Sequence, residues 1–358
     1  MIDLSSLREK LPGILRALAV GLPAGWLFDW LDTPIPWMIG PMIAVAAVNL
    51  TGISVFSPPY ARQTGQVLIG CAVGLYFSPT VVAALAANLG VIAGATGSAF
   101  LIGGLGALVL SRFSGVDGRS TFFACIPGGA MAMANLADRH GASIPPVAVA
   151  HSLRVSILVI VIPFALTYGG IPLEAAAYRP QLPLDVWILL PWLAVSFLIG
   201  EVSERLGWSN GCLLAPIFFG AALTISGFQL SAVPSWMIDF AQLMFGLVLG
   251  ARYERAFFVR YKLFIPFALL NSFFILLMSA LVAVILAWAS GLHISTMLIS
   301  AAPGGLAEMT ILGQALGISV PMVVAFHLFR VIVINLGTPY IFLAGQWVIT
   351  RLRAAAPD

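Results

Sequence analysis

Charge is what this sequence has least of. Only 9% of its 358 residues are Asp, Glu, Lys or Arg, against about 25% in soluble domains. That is too little to cover a water-facing surface, so a soluble globular protein is excluded. The formal net charge is +3 with the basic residues mostly in loops, which gives no nucleic-acid surface. Cysteine is scarce as well. Cys71, Cys125 and Cys212 are odd in number and sit within apolar stretches, so they read as small hydrophobes and not as disulfides or metal ligands. The chain has no CxxC and no HExxH, and no cofactor or metal is expected. The first apolar segment lacks a convincing cleavage site and reads as a retained helix. What fills the chain instead is hydrophobic sequence, at 60% with a mean hydropathy of +1.03. Many apolar runs reach the roughly 20 residues that a membrane helix needs. The expected fold class is an all-α polytopic membrane protein.

The apolar elements are 11–31, 36–50, 62–83, 88–111, 121–138 and 144–168, and then 186–203, 210–226, 236–251, 264–290, 296–315 and 320–349. Between the two sets lies a Pro/Gly-rich, partly charged stretch running from Gly169 to Pro183. The chain therefore divides into two membrane repeats, 1–175 and 176–358.

The halves repeat one another at an offset of 176. Residues 127–163 run Pro127-Gly128-Gly129, Met133, Leu136, Gly141, Ser143, Pro145, Val147, His151, Arg154, Val155 and Pro163. Residues 303–339 run Pro303-Gly304-Gly305, Met309, Leu312, Gly317, Ser319, Pro321, Val323, His327, Arg330, Val331 and Pro339. They match without a gap, with 13 of 37 positions identical. Gln66, Gly70 and Gly74 match Gln242, Gly246 and Gly250 at the same offset, and Gly40-Pro41 echoes Ala215-Pro216 at 175. Small residues spaced by four let membrane helices approach closely.

Loop charge bears on orientation, because cytoplasmic loops carry excess Lys and Arg. The basic places are Arg8, Lys10 and Arg16; Arg112 and Arg119; Arg252, Arg255, Arg260 and Lys262; and Arg351 and Arg353. If every element crossed, the 252–262 loop would fall outside. If each Pro-Gly-Gly element enters and returns on one side, each half crosses five times, the repeats are inverted, and all four basic regions lie inside with both termini. The acidic loop at Glu201 and Glu204 is an exception to that arrangement. The Pro-Gly-Gly elements are thus expected to be re-entrant or broken helices.

Pro and Gly interrupt a helix because proline has no amide hydrogen and glycine opens dihedrals closed to other residues. Irregular backbone at membrane depth is tolerated only where protein or a water-filled cavity satisfies it, and freed amides at a half-helix N-terminus favour an anion. Paired interruptions in corresponding halves point to a transport site. Pro127, Gly128, Gly129, Pro303, Gly304 and Gly305 are accordingly candidate substrate-binding residues. His151 with Arg154, and His327 with Arg330, each share one helix face at i,i+3. Each Arg lies about ten residues into its segment, near the bilayer centre, where charge is costly and commonly functional. Arg forks hold carboxylate or phosphate; the alternative is that they pair with backbone carbonyls to hold helices together. Glu308 has Ala132 as its repeat counterpart. It is either a proton or sodium carrier or a structural partner of Arg330 or Arg154. Asn135, Gln66 and Gln242 could line the same cavity.

The duplicated Pro-Gly-Gly…Met…Gly…His…Arg pattern, with Glu308 beside the second Met, resembles the AbrB-duplication family of bacterial inner-membrane proteins over essentially the whole chain. Members carry labels such as ammonia monooxygenase or regulator of gene expression; this chain has neither a copper or iron ligand set nor a DNA-binding motif. More distantly, the five-plus-five plan is similar to the clan of cation/proton antiporters, bile-acid symporters and citrate or glutamate transporters. That resemblance implies an elevator-like transporter, and by analogy a homodimer. The paired intramembrane aspartates of many antiporters are lacking here. The combined expectation is a secondary transporter of a small organic anion in the inner membrane, coupled to H+ or Na+ through Glu308, with the lipid bilayer as its surroundings and no enzymatic activity. The alternative is a membrane sensor that influences gene expression without transport.

Overall fold

A computed structural model describes residues 4–174 and 182–355. It is all-helical, with no strand among the described residues. The first half contains α1 (Leu4–Trp30), α2 (Pro36–Leu50), α3 (Ala61–Gly74), α4 (Pro79–Ala87), α5 (Leu89–Phe113), α6 (Gly118–Cys125), α7 (Ala130–Arg139) and α8 (Ile144–Tyr168). The second contains α9 (Val186–Arg205), α10 (Gly211–Ile225), α11 (Ser235–Ala251), α12 (Arg255–Arg260), α13 (Phe264–Ser290), α14 (Ile294–Ala301), α15 (Leu306–Ala315) and α16 (Val320–Ala355). Six helices are long and apolar enough to cross a membrane, or seven if α3 and α4 count as one span. The protein is a multi-pass membrane protein. The boundary expected at 175/176 lies outside the described residues.

The apolar runs of the sequence reappear as helices in the same order, with one correction. The run 62–83 is not one straight element, because α3 and α4 meet at 98°. The Ser78 side chain caps α4 and Pro79 opens it, so the chain restarts a helix at the point where its hydropathy is uninterrupted.

The helices sort into two bundles. In the first, α2 packs on α1 and on α11, α10 on α9 and on α3, and α3 on α11. The halves are thus exchanged: the second helix of each meets the third of the other. The small residues show why. A Cβ at Gly70 would stand 2.6 Å from the Leu213 carbonyl oxygen of α10, and one at Gly246 would stand 2.6 Å from the Met38 oxygen of α2. In the second bundle, α5 packs on α13, α6 and α16, and α8 on α13, α6 and α7. A shared apolar cluster joins the bundles, combining Val67, Leu213 and Phe245 with Leu158, Val159, Leu306 and Met309.

The Pro-Gly-Gly elements are re-entrant hairpins. At eight and ten residues, α6 and α7 extend only ~12–15 Å each at 1.5 Å per residue. The start of α6 lies beside the end of α7. The Ser143 amide donates to Ser120 Oγ at 2.7 Å, and Phe123 stacks on His140 at 5.8 Å. The mouth of the second hairpin, α14–α15, is tied by Glu174, whose carboxylate accepts from the Thr296 hydroxyl and the Ser319 amide. From the first mouth α8 runs 25 residues, ~37 Å, and Glu174 follows six residues after its end. The two hairpins therefore enter from opposite faces and their tips point toward each other.

One face gathers the basic loops. Asn49 donates to the Ala251 carbonyl at 3.1 Å and Arg255 to that of Thr51 at 3.0 Å, which brings the ends of α2 and α11 together. Phe113 at the end of α5 stacks on Phe267 at the start of α13. The opposite face holds the Glu174 clasp and the bond from Tyr168 to the Asp32 carbonyl.

Candidate functional site

The two tips line one cavity of about 840 Å³ between the bundles. Pro127, Gly128 and Gly129 come from one hairpin, and Pro303, Gly304, Gly305 and Glu308 from the other. His151 and Arg154 on α8 complete the inner wall. A site of this size suits a small organic molecule.

Each tip is held by an arginine. Arg154, 2% exposed, donates through Nη1 to the carbonyls of Cys125 at 2.9 Å and Ala124 at 3.3 Å. Arg330, 3% exposed, donates to Gly304 at 2.6 Å and to Ala302. The Ala124, Cys125 and Ala302 carbonyls are those left where α6 and α14 stop, at the negative ends of their dipoles, and Gly304 lies in the tip itself. His151 joins in. Its Nε2 bonds the Phe123 carbonyl at 3.1 Å and its Nδ1 meets Arg154 Nη2 at 2.8 Å, a pattern that assigns the Nε2–H tautomer. The carbonyl-pairing alternative raised for these arginines is therefore what the geometry displays. The Nε atom of each has no hydrogen-bond partner.

The return helices present their amino ends to the cavity. Neither α7 nor α15 has a side-chain cap, so the leading amides of each are free of intrahelical partners. The tips differ in one respect. Glu308 sits in the first turn of α15 and folds its carboxylate back over Gly305, where a Cβ would meet Oε2. Ala132 leaves the amino end of α7 uncovered. No ion pair of Glu308 with Arg154 or Arg330 forms; among the described residues the ion pair found is Arg205–Glu201.

Five expected residues lie elsewhere. Asn135 is exposed on α7 and does not line the cavity. His327 and Arg330 are buried behind the second tip, and His327 Nδ1 bonds its own helix at the Val323 carbonyl, 2.9 Å away. Gln66 and Gln242 are buried in the first bundle, not in the wall; Gln66 donates to Asn210 Oδ1 at 3.1 Å.

The wall also includes residues that motif spacing did not single out: Arg62, Glu204, Asn210, Arg252, Tyr253 and Asn335. Arg62 donates to Asn210 Oδ1 at 2.7 Å. Ser209, Arg252 and Glu254 are exposed, so the cavity opens to the basic face. Toward the opposite face the repeat supplies uncharged counterparts. Ile238, Tyr76 and Phe77 stand where Arg62, Arg252 and Tyr253 stand on the open side, and all three pack on the apolar cluster that joins the bundles.

The sequence matches the family described as "Transition state regulatory protein AbrB" over residues 37–344. The chain belongs to the AbrB family. It is 26% identical over 333 residues to "Putative regulator AbrB" of Escherichia coli (strain K12), covering 92% of this chain and 94% of that protein. It is 25% identical over 361 residues to "Uncharacterized protein YhjN" of Bacillus subtilis (strain 168), covering 91% of each. The matched family region takes in both tips, both arginines and Glu308. Repeat comparison could have found Asn335, which replaces Val159 and is a polar side chain on one copy only. Arg62 and Arg252 had no such signal beyond their charge at the ends of apolar segments.

Proposed function

We propose that this AbrB-family chain is a secondary active transporter of a small organic anion. The observation that carries the reading is that two hairpin tips from opposite faces share one cavity, which opens at the basic face. Broken elements at an inverted-repeat interface are the usual architecture of alternating access. The division into two bundles favours an elevator-like motion, with the hairpin bundle moving against the other. Excess Lys and Arg in these loops support a basic face on the cytoplasmic side of a bacterial inner membrane, with both termini inside. The amino end of α7 would receive the anion, and Glu308 would carry the coupling H+ or Na+. No catalytic activity is expected, and a homodimer is.

The test is flux. Protein in proteoliposomes should accumulate a small carboxylate under an imposed proton or sodium gradient. A Ser209→Cys variant should be blocked by an impermeant maleimide only from the side of the basic loops. Ligand binding with no flux under any gradient would instead favour a membrane sensor. The regulator name of the Escherichia coli relative is the reason to keep that second reading.

A further inference from the structure

The two tips are not chemically equal, and the difference names a class of ligand. On the first tip the cavity meets donors. The amides of Ala130, Met131 and Ala132 open α7 without a side-chain cap. Beside them lies Arg154, 2% exposed, with its Nε unpartnered. On the second tip the cavity meets acceptors. The Glu308 carboxylate lines it without an ion pair. Asn335 also lines it, and its Oδ1 is buried without a hydrogen-bond partner. The repeat shows that this is not a by-product of the fold, because Glu308 replaces Ala132 and Asn335 replaces Val159. Both acceptors belong to one half only. The charges on the wall also balance: Arg62, Arg154 and Arg252 face Glu204, Glu254 and Glu308. A wall of balanced charge gives a bare anion no net Coulombic gain, whereas a ligand carrying both signs leaves no buried group unmatched.

We propose that the ligand is an amino-carboxylate, a small zwitterion with its carboxylate at the amino end of α7 beside Arg154 and its ammonium between Glu308 and Asn335 Oδ1. This rests on the transport-site reading above: it keeps the carboxylate at the amino end of α7 and gives Glu308 to the ligand's ammonium in place of a coupling ion.

Binding to the detergent-solubilised full chain tests it. The probes are glycine, leucine, phenylalanine and 4-aminobutyrate, each with its deamino and decarboxy analogue, read by thermal shift and calorimetry. At least one amino-carboxylate should bind ten-fold or more tighter than either analogue. Glu308→Gln should weaken that ligand ten-fold or more and leave its deamino analogue unchanged. Asn335→Val should act in the same direction by a smaller factor. If the deamino analogue binds as well as the parent, or Glu308→Gln weakens both alike, the zwitterion inference is overturned while the anion reading stands. If the amine analogue binds as well, or no amino-carboxylate of the panel binds, the inference is likewise overturned. Binding as expected without flux in proteoliposomes would keep the ligand class and overturn the transporter.

Discussion

Arg154 Nη1 stands 2.9 Å from the carbonyl oxygen of Cys125, the last residue of α6, and Arg330 stands in the same relation to the carbonyls that follow α14. Both arginines satisfy acceptors that the break in the helix exposes. Hydrogen bonds from a charged donor contribute about 1.5–3 kcal/mol each, and leaving the buried acceptor alone costs the larger share. Arg154→Ala should therefore lower the melting temperature in detergent and speed amide exchange across 118–126. Arg154→Lys should recover part of the loss, since an ammonium can reach one carbonyl but not the His151 ring as well. A melting temperature equal to the wild type in Arg154→Ala would show that the tip does not depend on this contact.

The crossed packing of the halves rests on glycine. A Cβ at Gly246 would come within 2.6 Å of the Met38 carbonyl oxygen and 3.1 Å of Pro41 Cβ, and a backbone oxygen cannot rotate away. Gly246→Val should cost about 1–3 kcal/mol as overpacking, seen as a fall in melting temperature. Gly90 in α5 has nothing within 4 Å of the same construction, so Gly90→Ala should be neutral or gain up to about 1 kcal/mol from helix propensity. Equal effects at the two glycines would mean that the α2–α11 approach is not tight.

The repeat makes most of this legible in the sequence. Its offset marked six apolar elements in each half, in the order in which the helices follow one another, and Gly70, Gly74, Gly246 and Gly250 marked the crossed contacts. Loop charge favoured hairpins that return to the side they enter, and the Ser120–Ser143 bond shows the first one doing so. The bend between α3 and α4 was hidden because hydropathy is continuous through Pro79 and carries no direction. Spacing places an arginine at a depth but says nothing about which carbonyls are orphaned beside it, so the sequence leaves ligand binding and carbonyl pairing side by side, and the structure adds the carbonyl bonds. Arg62 and Arg252 escaped notice because a charge at a helix end reads as a loop residue until the exchanged halves fold it over the cavity.

Glu174 closes the second hairpin in the way that a direct bond closes the first. Its amide donates to Ser295 Oγ at 3.1 Å, and its carboxylate accepts from Thr296 and Ser319. Residues at the mouths of both α14 and α16 thus hang on one side chain from outside the hairpin. Glu174→Ala should raise amide exchange at 294–296 and 317–320 and leave 118–143 as it was. Glu174→Gln keeps an acceptor and should fall between. A change spread evenly over both hairpins would rule out a local clasp.

Asp117 offers a pH test at the first mouth, in a loop on the basic face. It caps α6, accepting from the amides of Arg119 at 3.1 Å and Ser120 at 2.9 Å and from the Ser120 hydroxyl. Burial of the carboxyl pulls its pKa upward, but the Ser120 hydroxyl and the two amides together outweigh it, so the net position is below the ordinary carboxylate value. A group whose folded pKa is depressed stabilises the fold fully above its unfolded pKa, about 4, and loses that contribution as pH falls through the folded value. Asp117→Ala should therefore cost about 1 kcal/mol at pH 7, as loss of an N-cap does. The gap in melting temperature between variant and wild type should hold from pH 7 to pH 5 and narrow below pH 4, because the wild type is then losing what the variant never had. The same Ser120 hydroxyl also receives the Ser143 amide, so losing the cap should loosen α6 and the start of α8 together, visible as faster exchange at both. A gap that widens in acid would assign Asp117 the opposite shift and separate it from the capping of α6.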